Sequence, residues 1–402
     1  MTLAPSKISS PYSASKQAPR IVIVGGGFGG LYTALYLQKY HHLKSCSITL
    51  IEPREQFLFT PLLYEVLTEE MQLWEVAPSY NSLLTNTTIQ WHQDWAEHID
   101  LAQQQVRLRQ GEWVPYDYLV VATGAKTRPL PIPGLEDHAL TFRSLKDVVD
   151  VKARLDHLAR MSSRVAVTVI GAGASGVELA TKVADCLGHR ANVRLVDRGA
   201  QVLKPFPRGL QKQAMRSLMQ RHVELQLNTQ VNEVGTDHIV LNGQRFTNNL
   251  TLWATGTEPV SWLGSTVTTN DQGQVLVRPT LQLGDHDNVF VIGDAASQAR
   301  PTPNTAQAAY QAAAAVAASV ANMVRGRKPK RFRYLHLGDM LTLGKGVGGI
   351  WSFGLSLGGK LGGIIRRAVY VHRMPTNRHR LKVARRALQQ FWQALRATDT
   401  NR

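Results

Sequence analysis

The chain has 402 residues, enough for two or three domains, and its 44% hydrophobic and 19% charged residues are an ordinary balance for a globular protein. The two cysteines, Cys46 and Cys186, lie far apart, which excludes a disulfide framework and a CxxC redox site and suits a reducing compartment. The net charge is +17, and residues 325–402 carry 18 Lys and Arg against two acids, so this last segment accounts for 16 of the 17 net positive charges.

Residues 1–19 are rich in Ser, Ala, Pro and Lys and contain no apolar run typical of a signal peptide. We predict a disordered arm here, with a short transit sequence as the alternative.

The first chemical signal is a glycine-rich loop. Residues 21–24 are apolar and β-branched, as in a buried parallel strand, and residues 31–40 predict a helix. Between them, Gly25, Gly27 and Gly30 occupy the positions of a G-x-G-x-x-G motif. The first glycine turns the chain, the second lets a pyrophosphate approach the backbone, and the third brings helix against strand. The free N–H groups at the helix N-terminus would face the phosphates.

A second predicted strand, residues 46–51, leads to Glu52, which follows Gly30 by 22 residues. That spacing suits a carboxylate that hydrogen-bonds a ribose. A glycine motif alone is weak evidence, because an ordinary strand-to-helix turn can produce one. Here the strand, the glycines, the helix and the acid all have the order and spacing of a dinucleotide-binding site.

The same pattern recurs in the middle of the chain. A strand at residues 165–170 precedes Gly171, Gly173 and Gly176, and a helix at residues 177–186 follows. Asp197 stands 21 residues after Gly176. Two such loops by chance are improbable, so we predict an α/β protein with two Rossmann-like dinucleotide-binding domains.

Two further apolar strands end in small-residue turns, residues 118–124 at Thr123-Gly124 and residues 288–296 at Gly293-Asp294. With them, residues 20–325 resemble the flavoprotein reductases that bind two dinucleotides. The resemblance implies that the first loop binds FAD, that Asp294 holds its ribitol, and that the second loop binds NAD(P)H, with Thr255-Gly256 as its exit turn. It divides the chain into an FAD domain (residues 20–140 and 275–330), an NAD(P)H domain (141–274) and a basic C-terminal segment (331–402).

The lack of a redox cysteine pair argues against a disulfide reductase and against sulfide oxidation. Residues 59–66 and 304–311 are more specific, because both resemble signatures of the type II NAD(P)H:quinone oxidoreductases. That resemblance implies that residues 59–66 lie beside the flavin ring and that Gln307 faces the quinone. Some relatives have a histidine where this chain has Tyr310.

The resulting candidate site has two catalytic residues, Glu178 and Gln307, and no metal. Glu178 follows the second glycine motif, and the resemblance implies a role near nicotinamide and flavin. A salt-bridged helix residue is the alternative for Glu178, and a helix residue that caps the helix or bonds a neighbour is the alternative for Gln307. The expected cofactor-binding residues are Gly25, Gly27, Phe28, Gly29, Gly30, Glu52, Thr60, Pro61, Thr123, Gly124, Gly171, Gly173, Gly176, Asp197, Thr255, Gly256, Gly293, Asp294 and Ala306.

The choice between NADH and NADPH stays open at this point. Asp197 suits a free 2′-hydroxyl and would repel a 2′-phosphate, whereas the adjacent Arg198 could accept one.

The C-terminal segment resembles the cyanobacterial and plastid branch of that family, which includes demethylphylloquinone reductases, through residues 332–334, 337–344 and 366–370. The last helix is amphipathic. Its apolar side has Leu381, Ala384, Leu388, Phe391, Trp392 and Leu395, and its polar side has Lys382, Arg385, Arg386, Gln389, Gln393 and Arg396. We predict peripheral attachment to an anionic membrane, at the cytoplasmic face of a thylakoid or plasma membrane. A docked helix with a solvated basic face and a homodimer are alternatives. We expect no nucleic-acid binding.

The expected activity is hydride transfer from NAD(P)H to flavin, followed by transfer of two electrons to a plastoquinone- or naphthoquinone-type acceptor without proton pumping. One alternative is a soluble reductase of the same fold that donates to a protein carrier. Another is a redox-sensing flavoprotein whose basic tail binds a partner.

Overall fold

The computed structural model describes residues 18–260 and 267–399, with side chains as far as residue 389. Residues 1–17 of the predicted arm lie outside the described residues. The strands are β1 Arg20–Val24, β2 Ser47–Ile51, β3 Ile89–His92, β4 Ala96–Asp100, β5 Gln105–Leu108, β6 Trp113–Pro115, β7 Tyr118–Val121, β8 Ala125–Thr127, β9 Ala139–Thr141, β10 Val165–Ile170, β11 Ala191–Val196, β12 Glu224–Gln226, β13 Val231–Val234, β14 His238–Leu241, β15 Gln244–Thr247, β16 Leu250–Trp253, β17 Thr257–Pro259, β18 Val275–Leu276, β19 Gln282–Leu283, β20 His286–Val291, β21 Ala296–Ser297, β22 Asp339–Thr342, β23 Gly348–Ser352 and β24 Leu355–Gly358.

The helices are α1 Phe28–Leu37, α2 Leu73–Val76, α3 Tyr80–Leu84, α4 Leu135–His138, α5 Leu145–Leu158, α6 Ala174–Leu187, α7 Arg208–Gln220, α8 Ala306–Met323, α9 Gly359–Arg373 and α10 Asn377–Asp399. A 3-10 helix spans Thr60–Val66. Helices α1 and α6 begin three residues earlier than predicted, because their first turns start inside the glycine motifs, directly after Gly27 and Gly173.

The first sheet has the strand order β19-β20-β7-β1-β2-β3 and is parallel except at β19. Its central strands are apolar runs buried on both faces, as parallel sheets require. Val24 pairs with Ile51 and with Val121, so the carboxyl ends of β1, β2 and β7 meet at one edge.

The second sheet, β12-β11-β10-β16-β9, is parallel throughout. Ile170 pairs with Val196 and Trp253. The predicted domain boundary between residues 140 and 141 falls inside β9. Leu140 pairs with Leu252, so the whole strand belongs to the second sheet. Three residues are too few to show a strand pattern in sequence.

The segments that follow β7 and β16 connect the two sheets. β8 pairs with β17 in an antiparallel ribbon, and the Thr123 hydroxyl donates to the Val260 carbonyl over 3.0 Å. The turns after β7 and β16 are therefore held together.

Helix α8 explains the alanine-rich window at residues 301–324. Most of its small side chains are buried, and they let it pack closely along α1. Within the described residues, no helix combines the length and apolar character needed to cross a bilayer.

The C-terminal segment folds back over the rest of the molecule. Strands β22, β23 and β24 form an antiparallel sheet that contacts α7, and α9 follows it. Helix α10 docks through buried His379 and Val383, and its His379 ring lies 2.8 Å from the Glu75 carbonyl oxygen.

One residue of α10 differs from expectation. Arg386, predicted on the polar face, lies 3.5 Å from the fully buried Glu75 carboxylate. Leu381 and Leu388 are exposed, and Ala384 is half-buried. The predicted apolar residues Phe391, Trp392 and Leu395 have side chains outside the described residues.

Candidate active site

The first glycine loop forms a tight turn with an open centre. A Cβ on Gly30 would lie 1.7 Å from the Gly25 carbonyl oxygen, and one on Gly25 would lie 2.5 Å from that of Ala122, so neither position accepts a side chain. Above Gly27, by contrast, no atom lies within 4 Å of such a Cβ. The loop therefore leaves a cradle at the N-terminus of α1, where backbone N–H groups can bind phosphate.

Glu52 closes this cradle at the end of β2. Its buried carboxylate accepts from the Gly26 N–H over 2.6 Å and from Arg54 Nε over 2.7 Å. The acid predicted from its spacing is thus held beside the loop.

The second glycine loop repeats the arrangement. A Cβ on Gly176 would lie 1.7 Å from the Gly171 oxygen, and the space above Gly173 is open. Asp197 accepts from the N–H groups of Ala172 and Gly199, each over 2.6 Å. The two cradles have the same geometry and lie at the carboxyl edges of different sheets.

Three more predicted segments reach the edge of the first sheet. Thr123 and Gly124 follow β7, and Gly293 and Asp294 follow β20, its neighbour. Burial raises the pKa of the Asp294 carboxyl, with Arg143 opposing the shift. Ala306 begins α8, which Thr305 caps by accepting from the Ala308 N–H over 3.2 Å.

At the second sheet, Thr255 and Gly256 follow β16. The Trp253 indole N–H donates to the Thr255 hydroxyl over 2.9 Å, and Gly256 accepts from the Arg128 N–H over 3.3 Å. This exit turn lies beside the second glycine loop, since β16 pairs with β10.

Glu178 lies in a buried cluster formed by three separate parts of the chain. Its carboxylate accepts from the Thr342 N–H over 2.8 Å and lies 3.4 Å from Arg366 Nη2. The same guanidinium bonds the Glu65 carboxylate and the Pro61 carbonyl. Burial raises the pKa of Glu178 to about 7, while Arg366 and the Thr342 N–H act in the opposite direction. Two carboxyls thus share one guanidinium, and one of them can hold a proton near neutral pH.

Gln307 lies on the first turn of α8 and contacts the C-terminal segment. Its Oε1 accepts from the Tyr334 hydroxyl over 2.7 Å and from the Leu337 N–H over 3.1 Å. Its Nε2 is 3.5 Å from the Gly338 carbonyl oxygen. The amide therefore bonds a neighbouring segment, as the sequence-based alternative predicts.

One stretch of backbone connects the two predicted catalytic residues. Residues 334–342 contact Gln307 near their start and Glu178 at their end. Four members of the predicted set remain. Phe28 and Gly29 start α1 beside the first glycine loop, and Thr60 and Pro61 start the 3-10 helix that also carries Glu65.

The family follows from comparison with known proteins. A model of the pyridine nucleotide-disulphide oxidoreductase family matches residues 19–313. The demethylphylloquinone reductase NdbB of Synechocystis sp. is 36% identical over 382 residues, which cover 91% of this chain and 94% of that protein. The chain belongs to the pyridine nucleotide-disulphide oxidoreductase family.

Within this family, the resemblance to type II NAD(P)H:quinone oxidoreductases is confirmed. The alternative NAD(P)H-ubiquinone oxidoreductase C1 of Arabidopsis thaliana is 31% identical over 94% of this chain and 82% of that protein. The structure of NDH2 from Plasmodium falciparum in complex with NADH matches with a TM-score of 0.83 at 17% identity, over 93% of this chain and 98% of that one. The predicted fold class is confirmed, and the cofactors of this oxidoreductase are FAD and NAD(P)H.

The two cradles fit these cofactors, because each offers open space, free N–H groups and a strand-end acid. Glu65 and Arg366 belong to this cluster but are absent from the predicted set, although both stand in segments that resemble the family. No short sequence pattern around Glu65 or Arg366 indicates that the two side chains form an ion pair. Their side chains meet only because residues 301 apart in sequence pack together.

Proposed function

We propose that this member of the family transfers reducing equivalents from NAD(P)H through FAD to a membrane quinone of the plastoquinone or naphthoquinone type, without pumping protons. The relatives are named as reductases of demethylphylloquinone, ubiquinone or quinone. The observation that carries the proposal is the segment 334–342, which connects Gln307 beside the first sheet with Glu178 beside the second.

The two cradles divide the cofactors between them. FAD would be held by the loop from Gly25 to Gly30, Glu52, residues 123–124, Asp294 and the start of α8, with Thr60 and Pro61 beside its ring. NAD(P)H would be held by the second loop, Asp197 and residues 255–256. With β9 assigned to the second sheet, the FAD domain would comprise residues 20–138 and 275–330, and the NAD(P)H domain residues 139–274.

When bound, FAD accepts a hydride from NAD(P)H and delivers two electrons to the quinone. The chain contributes by holding the reacting groups about 3–3.5 Å apart and excluding water. Glu178 would contribute to this, since Thr342 and Arg366 hold its carboxyl at the junction of both domains and the C-terminal segment.

We further propose peripheral attachment to an anionic membrane, at the cytoplasmic face of a thylakoid or plasma membrane. Exposed apolar side chains occur on three consecutive C-terminal elements, the β23–β24 hairpin, α9 and α10. They include Phe353 (76% exposed), Leu355, Leu361, Ile364, Leu381 and Leu388. Exposed cations lie among them at Lys360, Lys382 and Arg385. Apolar and basic side chains together are typical of an interfacial surface.

The experiment is anaerobic stopped flow on the flavin-loaded protein. The flavin is reduced with NADH or NADPH and then mixed with 2-methyl-1,4-naphthoquinone. Fast reoxidation supports the proposal. Fast reduction without reoxidation would reject quinone as the acceptor and favour a protein carrier or a sensing role.

Attachment is tested separately by flotation with vesicles of anionic or neutral lipid. Salt-sensitive binding to anionic vesicles alone is expected. If the protein sediments as a dimer and binds neither kind of vesicle, the exposed apolar surface would instead be a homodimer interface.

A further inference from the structure

A row of hydrogen-bonding side chains leads from the protein surface to Gln307. Asp339 Oδ2 lies 3.3 Å from His336 Nε2, and His336 Nδ1 lies 3.1 Å from the Tyr334 hydroxyl. That hydroxyl donates to Gln307 Oε1 over 2.7 Å. The His336 side chain is 41% exposed and that of Asp339 22% exposed, whereas Tyr334 is half-buried. The row therefore starts in solvent and ends inside the site.

The directions of these bonds suit proton movement inward. The single proton of the Tyr334 hydroxyl goes to Gln307, so the 3.1 Å contact with His336 is made by an Nδ1–H donor. When the imidazole is protonated, its Nε2–H also donates to Asp339, and every member is satisfied. The Trp351 ring stacks on the imidazole, with centroids 6.0 Å apart and planes 28° apart, and limits its rotation.

Quinone reduction creates the need for such a row. The overall reaction consumes one hydride from NAD(P)H and one proton from solvent for each quinol formed. Gln307 cannot supply that proton, because an amide is a poor acid. The side chain bonded to it, Tyr334, can act as a proton donor.

We propose that Tyr334 and His336 form a proton relay to the quinone, with Asp339 as a positioning residue. This proposal rests on the proposed quinone reductase function. In this relay the Tyr334 hydroxyl exchanges its hydrogen bond to Gln307 for one to a quinone oxygen. Its O–H bond breaks as the quinol O–H bond forms, the Nδ1 proton of His336 moves to the tyrosine oxygen, and His336 regains a proton from solvent. Asp339 orients the imidazole through its 3.3 Å contact with Nε2, as carboxylates do for catalytic histidines.

The test compares Tyr334→Phe, His336→Gln and Asp339→Asn with the wild-type holoenzyme in stopped flow. Flavin reduction by NAD(P)H should be unchanged. Reoxidation by 2-methyl-1,4-naphthoquinone should slow at least about tenfold for Tyr334→Phe and His336→Gln, since a positioned proton donor contributes about 10²–10⁴-fold. Ferricyanide, which takes electrons without a proton, should reoxidise all variants at the wild-type rate. Added imidazole should restore part of the rate to His336→Ala.

Two readouts do not depend on turnover alone. The affinity for the quinone, followed by quenching of tryptophan fluorescence, should change less than about threefold for His336→Gln. The solvent deuterium isotope effect on reoxidation should differ between that variant and the wild type. Tyr118→Phe, a half-buried tyrosine on β7, is the matched control.

The outcomes separate the two proposals. A wild-type protein that the quinone cannot reoxidise overturns the quinone function and the relay together. Fast wild-type reoxidation with unchanged Tyr334 and His336 variants overturns the relay alone. A loss confined to Tyr310→Phe would assign proton donation to that neighbour. Equal losses with quinone and ferricyanide, or a large loss of quinone affinity, would show a structural role.

Discussion

The carboxyl of Glu178 titrates far from its ordinary range. Burial raises its pKa to about 7 from a usual value of 4.5, although Arg366 stands beside it. Between these two values the folded protein binds more protons than the unfolded chain. Its free energy of unfolding therefore falls as the pH rises from about 4.5 to about 7.

Replacing Glu178 by Gln should remove this dependence. The amide can still accept from the Thr342 N–H, and Arg366 keeps Glu65 as a partner. Between pH 5 and pH 8 the variant should gain stability relative to the wild type, by on the order of 3 kcal/mol at most. Urea unfolding of the holoprotein at several pH values measures the difference. Glu224→Gln is the control, because ion pairing and hydrogen bonds lower the pKa of Glu224, despite its partial burial, to below this range. If the free energy of unfolding depended on pH in the same way in the wild type and in Glu178→Gln, a group other than Glu178 would cause the dependence.

We expect NADH to be preferred over NADPH, because of Asp197. Its carboxylate is fixed by two backbone N–H groups at the ribose end of the second cradle, where a 2′-phosphate would meet a like charge. Asp197→Asn should raise the ratio of NADPH to NADH flavin reduction rates about tenfold, since removing about 1.4 kcal/mol of repulsion has that effect. Arg198→Gln should lower NADPH use if Arg198 accepts the phosphate. A preference unmoved by Asp197→Asn would contradict the assignment.

At the scale of elements, α10 combines a docked side and an outward side. His379 and Arg386 contact Glu75 of α2 and Val383 is buried, whereas Leu381 and Leu388 are exposed. Deleting the helix would uncover the buried Glu75, so substitutions on the outward side test attachment more cleanly.

Replacing both outward leucines, Leu381 and Leu388, by Gln should weaken binding to anionic vesicles at least about tenfold, because each buried leucine contributes about 1.5–3 kcal/mol. Flavin reduction should be unchanged. Leu276→Gln, at an exposed leucine on β18, is the control. Unchanged flotation of the double variant would reject α10 as an attachment surface.

The sequence predicts those elements whose signals are local. The strand at residues 165–170, both glycine loops and their acids follow from short patterns of apolar residues and spacing. The three-residue β9 and the glycine-rich hairpin at β23–β24 carry no such pattern. The Glu65–Arg366 pair and the row ending at Tyr334 depend on where the C-terminal segment lies, and periodicity along the chain cannot give that. For the same reason helical periodicity puts Arg386 on the polar side of the last helix, although it pairs with the buried Glu75.

At the scale of the whole molecule, a second buried ion pair joins both halves and the C-terminal segment. Lys182, on α6, is fully buried and bonds the Glu70 carboxylate, which follows the 3-10 helix beside the first sheet. Glu70 also accepts from the Gly346 N–H over 2.8 Å. Burial opposes ionisation of Glu70, but Lys182 outweighs it and lowers the pKa of that carboxyl. The Lys182 ammonium group therefore helps to hold α6, the segment around Glu70 and the C-terminal segment around Gly346 together.

Lys182→Met should lower the free energy of unfolding by about 3–5 kcal/mol, because the change leaves a largely buried carboxylate without its partner. Adding Glu70→Gln should restore part of that loss. Lys152→Met, which breaks an exposed ion pair with Glu69, should cost no more than about 1 kcal/mol.

In the wild type, urea transitions followed by flavin fluorescence and by circular dichroism should coincide, whereas in Lys182→Met they should separate as the halves lose their coupling. Coincident transitions in Lys182→Met, with a loss no larger than that of Lys152→Met, would show that other contacts hold the halves together.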